Sequence, residues 1–186
     1  MEQIRNRIDP LLATGKQVLI AIDGNCTAGK TTLAAALAKE YDCNVFHMDD
    51  FFLRPEQRTQ ARYAEAGGNV DYERFSEEVL QPLKAGRVFS YRPFSCRTFT
   101  LTDPVAVVPK QLNIVEGTYC LHPYFGDVYD LKLFLTVDSE TQRERISHRP
   151  QHLQPKFFTH WIPMETLYFD TFRIPDQVDL YLDRSL

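Results

Sequence analysis

Gly24-Asn25-Cys26-Thr27-Ala28-Gly29-Lys30-Thr31 places two glycines around a short loop that ends on a lysine and a threonine. That spacing suits the binding of phosphate. The glycines let backbone N–H groups turn inward around phosphate oxygens, and a helix N-terminus adds partial positive charge. Lys30 then reaches the β- and γ-phosphates, and Thr31 offers its hydroxyl to Mg²⁺. Thr32 completes the set of nucleotide-binding positions, Gly24 to Thr32. The bland alternative is a glycine turn joining a strand to a helix. ATP or GTP binding is the stronger expectation.

Carboxylates supply the second half of the chemistry. Asp49 and Asp50 close an apolar segment, where one carboxylate can accept the proton of an attacking hydroxyl; capping the next segment is the alternative. Glu116 ends another apolar run and is placed to orient Mg²⁺ through water. Asp71 precedes a helical pattern, and spacing alone favours an N-cap there. Cys26 lies inside the phosphate loop, and a small loop-filling residue is favoured over a reactive thiol. The five histidines show no metal-ligand spacing.

These residues need elements to position them. Residues 18–23, 44–48, 112–115, 131–137 and 178–182 read as five strands, the last two near-continuous apolar runs covered on both faces. Residues 4–14 and 32–39 read as helices, and Tyr72, Phe75, Val79 and Leu83 share a helical face. The polar stretch 53–70 reads as a mobile connection. Residues 87–111 form a β excursion, whose aromatics, interleaved with Arg92 and Arg97, make either a ring-binding pocket or the half-buried face of a small sheet. Arg145 and Arg149 share a helical face suited to clamping a triphosphate, or to plain solvation. Pro163 reads as the start of a helix whose aromatics pack on the sheet. Strands alternating with helices predict an α/β, three-layer P-loop NTPase sandwich with a five-stranded parallel sheet, one domain over 1–186, and a short lid.

Bulk properties bound the partners. With 25% charged residues and a net charge of −4, nothing global draws the chain to nucleic acid or anionic lipid. No apolar run reaches bilayer length, and the first residues resemble no signal peptide. Four cysteines without a C-x-x-C pair predict reduced thiols and a cytoplasmic location.

Taken together, Gly24 to Thr31, Asp49-Asp50-Phe51-Phe52, Gly68-Asn69-Val70-Asp71-Tyr72, Glu116-Gly117-Thr118-Tyr119 and the arginines at 143–149 resemble the uridine kinase family of P-loop nucleoside kinases, which includes the nicotinamide riboside kinases. The resemblance implies that Asp49 accepts the proton of the substrate's 5′-hydroxyl, with Lys30 as its catalytic partner. It implies that Asp71 hydrogen-bonds ribose hydroxyls, that Glu116 associates with Mg²⁺, and that Arg145 and Arg149 belong to the lid. Tyr91 then shapes the base pocket, with Phe52, Arg92 and Cys96 beside it. Phe52 stands where uridine kinases carry tyrosine, as in nicotinamide riboside kinases. Cys96 stands where uridine kinases carry a base-reading histidine, and a thiol does not replace imidazole's hydrogen bonds. Pro150 and Pro155 interrupt the lid. The expected activity is ATP- and Mg²⁺-dependent phosphorylation of a nucleoside. The alternatives are another small acceptor (nicotinamide riboside, pantothenate or a sugar phosphate) or a non-catalytic nucleotide-binding module. The expected partner is a small molecule, with homo-oligomers allowed. A GTPase switch is disfavoured because neither D-x-x-G nor N-K-x-D occurs.

Overall fold

The computed structural model describes residues 1–185. Helix α1 (Glu2–Leu12) leads into strand β1 (Val18–Gly24), the phosphate loop and α2 (Lys30–Glu40). Strand β2 (Cys43–His47) ends in a 3₁₀ turn, Met48–Phe51, which carries both aspartates. A second 3₁₀ turn (Pro55–Gln57) and α3 (Gln60–Ala64) follow. Next come α4 (Tyr72–Phe75), a π turn (Ser76–Leu80) and α5 (Gln81–Lys84), which together form one continuous helix. The excursion holds β3 (Phe89–Tyr91), β4 (Phe94–Ser95), β5 (Thr100–Leu101) and β6 (Val105–Val107). Strands β7 (Leu112–Glu116) and β8 (Leu131–Thr136) precede α6 (Ser139–Ser147). A second continuous helix runs through α7 (Gln154–Lys156), a π turn (Phe157–Trp161) and α8 (Ile162–Phe172), and β9 (Leu180–Asp183) closes the sheet.

The main sheet has the order β2-β7-β1-β8-β9 and every pairing is parallel. Alternating side chains feed two cores. Ile20, Ile22, Ile114, Leu133 and Leu135 pack with Ile4 and Ile8 of α1 and Leu33, Ala34 and Leu37 of α2. Ala21, Phe46, Val115 and Phe134 face the other way, onto Phe75, Val79 and Leu83 and onto Tyr168 and Phe169 of α8. This is the expected three-layer α/β sandwich, with the sheet covered on both faces.

Several local expectations change. β9 is an edge strand with Tyr181 54% exposed, so it is not covered on both faces. Residues 53–70 carry regular structure. Arg62 ties them together by donating to Gly68 O, Val70 O, the Tyr72 hydroxyl and both oxygens of Glu73. Pro163 does not start its helix; Pro155 holds that position, and Pro163 lies just past the π turn. Pro82 stands at the same offset from its own π turn. A proline has no N–H for the carbonyl four residues back and its ring crowds that group, so a widened turn before it relieves both problems.

Candidate active site

The sheet register brings the predicted residues to one edge. Ile22, Glu116 and His47 lie side by side across β1, β7 and β2. The phosphate loop, Glu116-Gly117 and the aspartate turn therefore leave the sheet at the same level, the edge where open α/β sheets bind ligands.

Two glycines are required here. At Gly24 (φ +136°) a Cβ would come within 1.9 Å of Leu135 O, so a side chain would drive the loop off β8. At Gly117 (φ +130°) a Cβ would meet Met48 Cβ at 2.8 Å, which accounts for the Glu-Gly pair where β7 passes the aspartate turn.

Lys30 is buried, and its Nζ donates to Gly24 O at 2.7 Å and Asn25 O at 2.8 Å. Thr31 Oγ1 donates to Glu116 Oε1 at 3.1 Å, and His47 Nδ1 lies 2.5 Å from the same oxygen. That hydrogen bond raises the His47 pKa. Thr27 is held at φ +64°, with its hydroxyl buried and unpartnered.

Asp49 lies in the 3₁₀ turn that follows β2, at the sheet edge shared with the phosphate loop and Glu116. Among the described residues its carboxylate has no hydrogen-bond partner within the chain, and it is exposed to solvent. The surrounding walls, and secondarily Glu116, hold it above the usual carboxylate range, while Lys30 pulls in the opposite direction. Asp50 accepts from the Tyr91 hydroxyl at 3.3 Å, and its backbone carbonyl accepts from Arg74 at 2.9 Å. Tyr91 is buried and stacked on Phe51. Phe52 is half-buried and bridges to Val70.

Asp71 is the N-cap that its spacing predicts. Its Oδ1 accepts from Arg74 N at 3.2 Å, and the side chain is buried. Oδ2 pairs with Arg54 Nε at 3.5 Å and Arg74 Nε at 3.4 Å, without a hydrogen bond to either. Arg92 does not line a pocket. Its Nε and Nη2 donate to Thr102 O and Leu101 O, bracing the excursion, which favours the small-sheet reading for that side chain. Cys96 is exposed in the segment between β4 and β5.

The lid arginines differ from expectation. α6 stops at Ser147, so Arg149 is exposed beyond the helix and does not share a helical face with Arg145. Arg145 is turned onto the phosphate loop itself, donating to Thr27 O at 3.1 Å and to Arg184 O at 2.8 Å.

Two buried carboxylates escaped the motif reading. Asp23 accepts from Gly24 N, Tyr119 N, Leu121 N and the Tyr168 hydroxyl, so its burial is compensated by four donors. Glu165 accepts from Cys26 N, and burial raises its pKa while Lys30 opposes that shift. The loop thiol beside Glu165 is pushed up to about 12, chiefly by burial, which suits a filler and not a nucleophile.

No cluster of three or more His, Cys, Asp or Glu among the described residues is arranged to cage a metal. A hydroxyl and a carboxylate sharing a contact, as Thr31 and Glu116 do, nonetheless fit Mg²⁺ that arrives largely on phosphates. No helix among the described residues is long and apolar enough to cross a membrane.

No family model matches the chain. A candidate uridine kinase of Schizosaccharomyces pombe is 27% identical over 170 residues, covering 80% of this chain and 72% of the relative. Nicotinamide riboside kinase 1 of Homo sapiens is 29% identical over 165 residues, covering 82% and 77%. The solved structure of a candidate uridine kinase from Bacillus stearothermophilus superposes with a TM-score of 0.70 at 22% identity, covering 97% of this chain and all of that one. In sequence the chain is similar to a candidate uridine kinase and to nicotinamide riboside kinase 1, and in fold it is similar to the solved candidate uridine kinase.

Proposed function

We propose that the protein transfers the γ-phosphate of ATP to a hydroxyl of a small molecule, with the 5′-hydroxyl of a nucleoside as the first candidate. The observation that carries this reading is the common level at which β1, β7 and β2 end. It supports the reading by bringing Lys30, the Thr31–Glu116 contact and an unpartnered Asp49 to one edge of the sheet.

The two loop carbonyls that hold Lys30 are weak partners beside a triphosphate, so the ammonium exchanges them for phosphate oxygens. Thr31 and Glu116 would hold Mg²⁺, which neutralises phosphate charge when bound. Asp49, raised by its surroundings, accepts the proton of the acceptor hydroxyl. Lys30 and the loop N–H groups stabilise the charge that develops, so positioning and electrostatics supply most of the rate. Asp71 Oδ2, which accepts no hydrogen bond among the described residues, is the oxygen left to accept from a ribose hydroxyl. We take residues 1–186 as one kinase domain working in the cytoplasm, where its four free thiols stay reduced.

ADP release measured across a panel of nucleosides and other small alcohols tests the reading. Asp49→Ala is expected to lower turnover at least about 10²-fold while ATP still binds. Unchanged turnover would remove Asp49 from the mechanism. Tight ATP binding with no acceptor stimulating ADP release would favour a regulatory nucleotide-binding module.

A further inference from the structure

Arg58 is half-buried just after the turn Pro55–Gln57. Its guanidinium lies over the rings of Phe94 (5.5 Å to the centroid) and Phe99 (5.0 Å), and its Nε donates to Leu53 O at 2.9 Å. Among the described residues, Arg58 forms no ion pair with a carboxylate, and Nη1 and Nη2 donate to no oxygen.

The neighbouring arginines differ. Arg62 spends its edge on Glu73, the Tyr72 hydroxyl and two backbone carbonyls. Arg74 donates to Arg92 O, Asp50 O and Glu78. Arg92 braces the excursion, and Arg54 pairs with Asp71 and Glu56. The Arg58 guanidinium carbon sits over two ring faces and no oxygen takes Nη1 or Nη2, which have the geometry of a two-point grip on a carboxylate or phosphate.

That edge belongs to the candidate acceptor side of the cleft. Strand β4, which carries Phe94, packs on the turn Met48–Phe51 that carries Asp49. The Cys96 thiol next to β4 feels the charges of both Arg58 and Asp49, and it lies close enough to Arg58 to accept weakly from its guanidinium, a contact that a carboxylate or phosphate would displace. Holding the β4–β5 segment through Phe99, itself at φ +57°, uses the attraction of the guanidinium to the ring faces but leaves Nη1 and Nη2 without a carboxylate partner.

We propose that Arg58 selects the acceptor: its free Nη edge binds an anionic group, carboxylate or phosphate, carried by the alcohol and disfavours a cationic one. The proposal rests on the reading of this cleft as a small-molecule kinase site. A nicotinamide riboside, whose ring is a pyridinium cation, is then a poorer acceptor than the same riboside bearing a carboxylate.

Two matched pairs test this: nicotinate riboside against nicotinamide riboside, and glycerol 3-phosphate against glycerol. Dissociation constants are measured by calorimetry, and kcat and KM with ATP, for the wild type, Arg58→Gln and Arg58→Lys. In the wild type the anionic member of at least one pair is expected to bind about 10-fold tighter or better. The responding pair tells carboxylate from phosphate. Arg58→Gln brings that ratio close to one, mainly through KM, and Arg58→Lys keeps part of it. Wild-type ratios near one in both pairs would overturn the proposal. So would an Arg58→Gln protein that weakens both members of a pair alike and melts lower, because Arg58 would then serve only to hold β4–β5. Preserved binding ratios without phosphotransfer to any acceptor would keep the anion site and defeat the kinase reading instead.

Discussion

Glu165 Oε2 accepts the backbone N–H of Cys26 at 2.9 Å, so a carboxylate from α8 grips the outer rim of the phosphate loop. Gln142 of α6 donates to the carbonyl of the same residue at 3.2 Å, and Arg145 donates to that of the next. Two helices far along the chain thus shape the loop before any nucleotide arrives.

Glu165→Ala would leave a partly buried amide without its acceptor. The expected cost is roughly 1–3 kcal/mol of unfolding free energy, read from urea titrations. Glu165→Gln retains an oxygen acceptor and should lose less. An alanine variant as stable as the wild type would show that the contact contributes nothing.

Gly24 and Gly29 separate two reasons for glycine. A Cβ at Gly24 collides with the backbone of Leu135, whereas at Gly29 (φ +92°) nothing lies within 4 Å and only the backbone conformation resists a side chain. Gly24→Ala is expected to lower stability by roughly 3 kcal/mol or more, and Gly29→Ala by about 1–2 kcal/mol. Melting curves of equal depression for the two variants would contradict this ordering.

Arg62→Ala removes the hub of the segment between the aspartate turn and α4. With its bonds to Gly68 O, Val70 O and Glu73 gone, limited proteolysis should cut within residues 53–70. Protection equal to that of the wild type would mean that α3 and the flanking turns hold by themselves.

His122 is buried, with its ring stacked on Tyr72 and parallel to Tyr168; its Nδ1 accepts from Tyr124 N, which leaves Nε2 to donate to Ala66 O. Burial lowers its pKa from 6.5 to about 4. The unfolded chain therefore takes up a proton that the folded protein refuses. Stability from the neutral ring is fully present above about pH 6.5 and is lost as pH falls toward 4, at no more than about 1.4 kcal/mol per pH unit. The slope of unfolding free energy against pH should flatten over that window in His122→Phe. An unchanged slope would place the responsible groups elsewhere.

The phosphate loop, the aspartates and Glu116 were legible because each motif is local and sits where a strand ends. Asp23 and Glu165 were not, because their partners are distant: Cys26 and Glu165 lie 139 positions apart. Arg62 appeared to be one more polar residue in a loop, since two of its five bonds go to backbone carbonyls, which no side-chain pattern reveals, and the rest reach Tyr72 and Glu73 ten and eleven positions on. Arg92 suggested a ligand contact but spends its donors within the excursion. The arginines at 145 and 149 have helical spacing, yet α6 ends between them. Pro163 carried the usual signature of a helix start, and only the π turn before it explains how a proline fits inside.

That wide turn makes the rod from Gln154 to Phe172 unequal along its length. On its C-terminal side, Glu165 is fastened to the phosphate loop, and Tyr168 and Phe169 are sunk in the core. On its N-terminal side neither Gln154–Lys156 nor the π turn itself buries a residue, and Phe158 within the turn is 45% exposed. The phosphate loop is therefore gripped from the anchored half of the rod alone, and the exposed first half adds no buried contact to it.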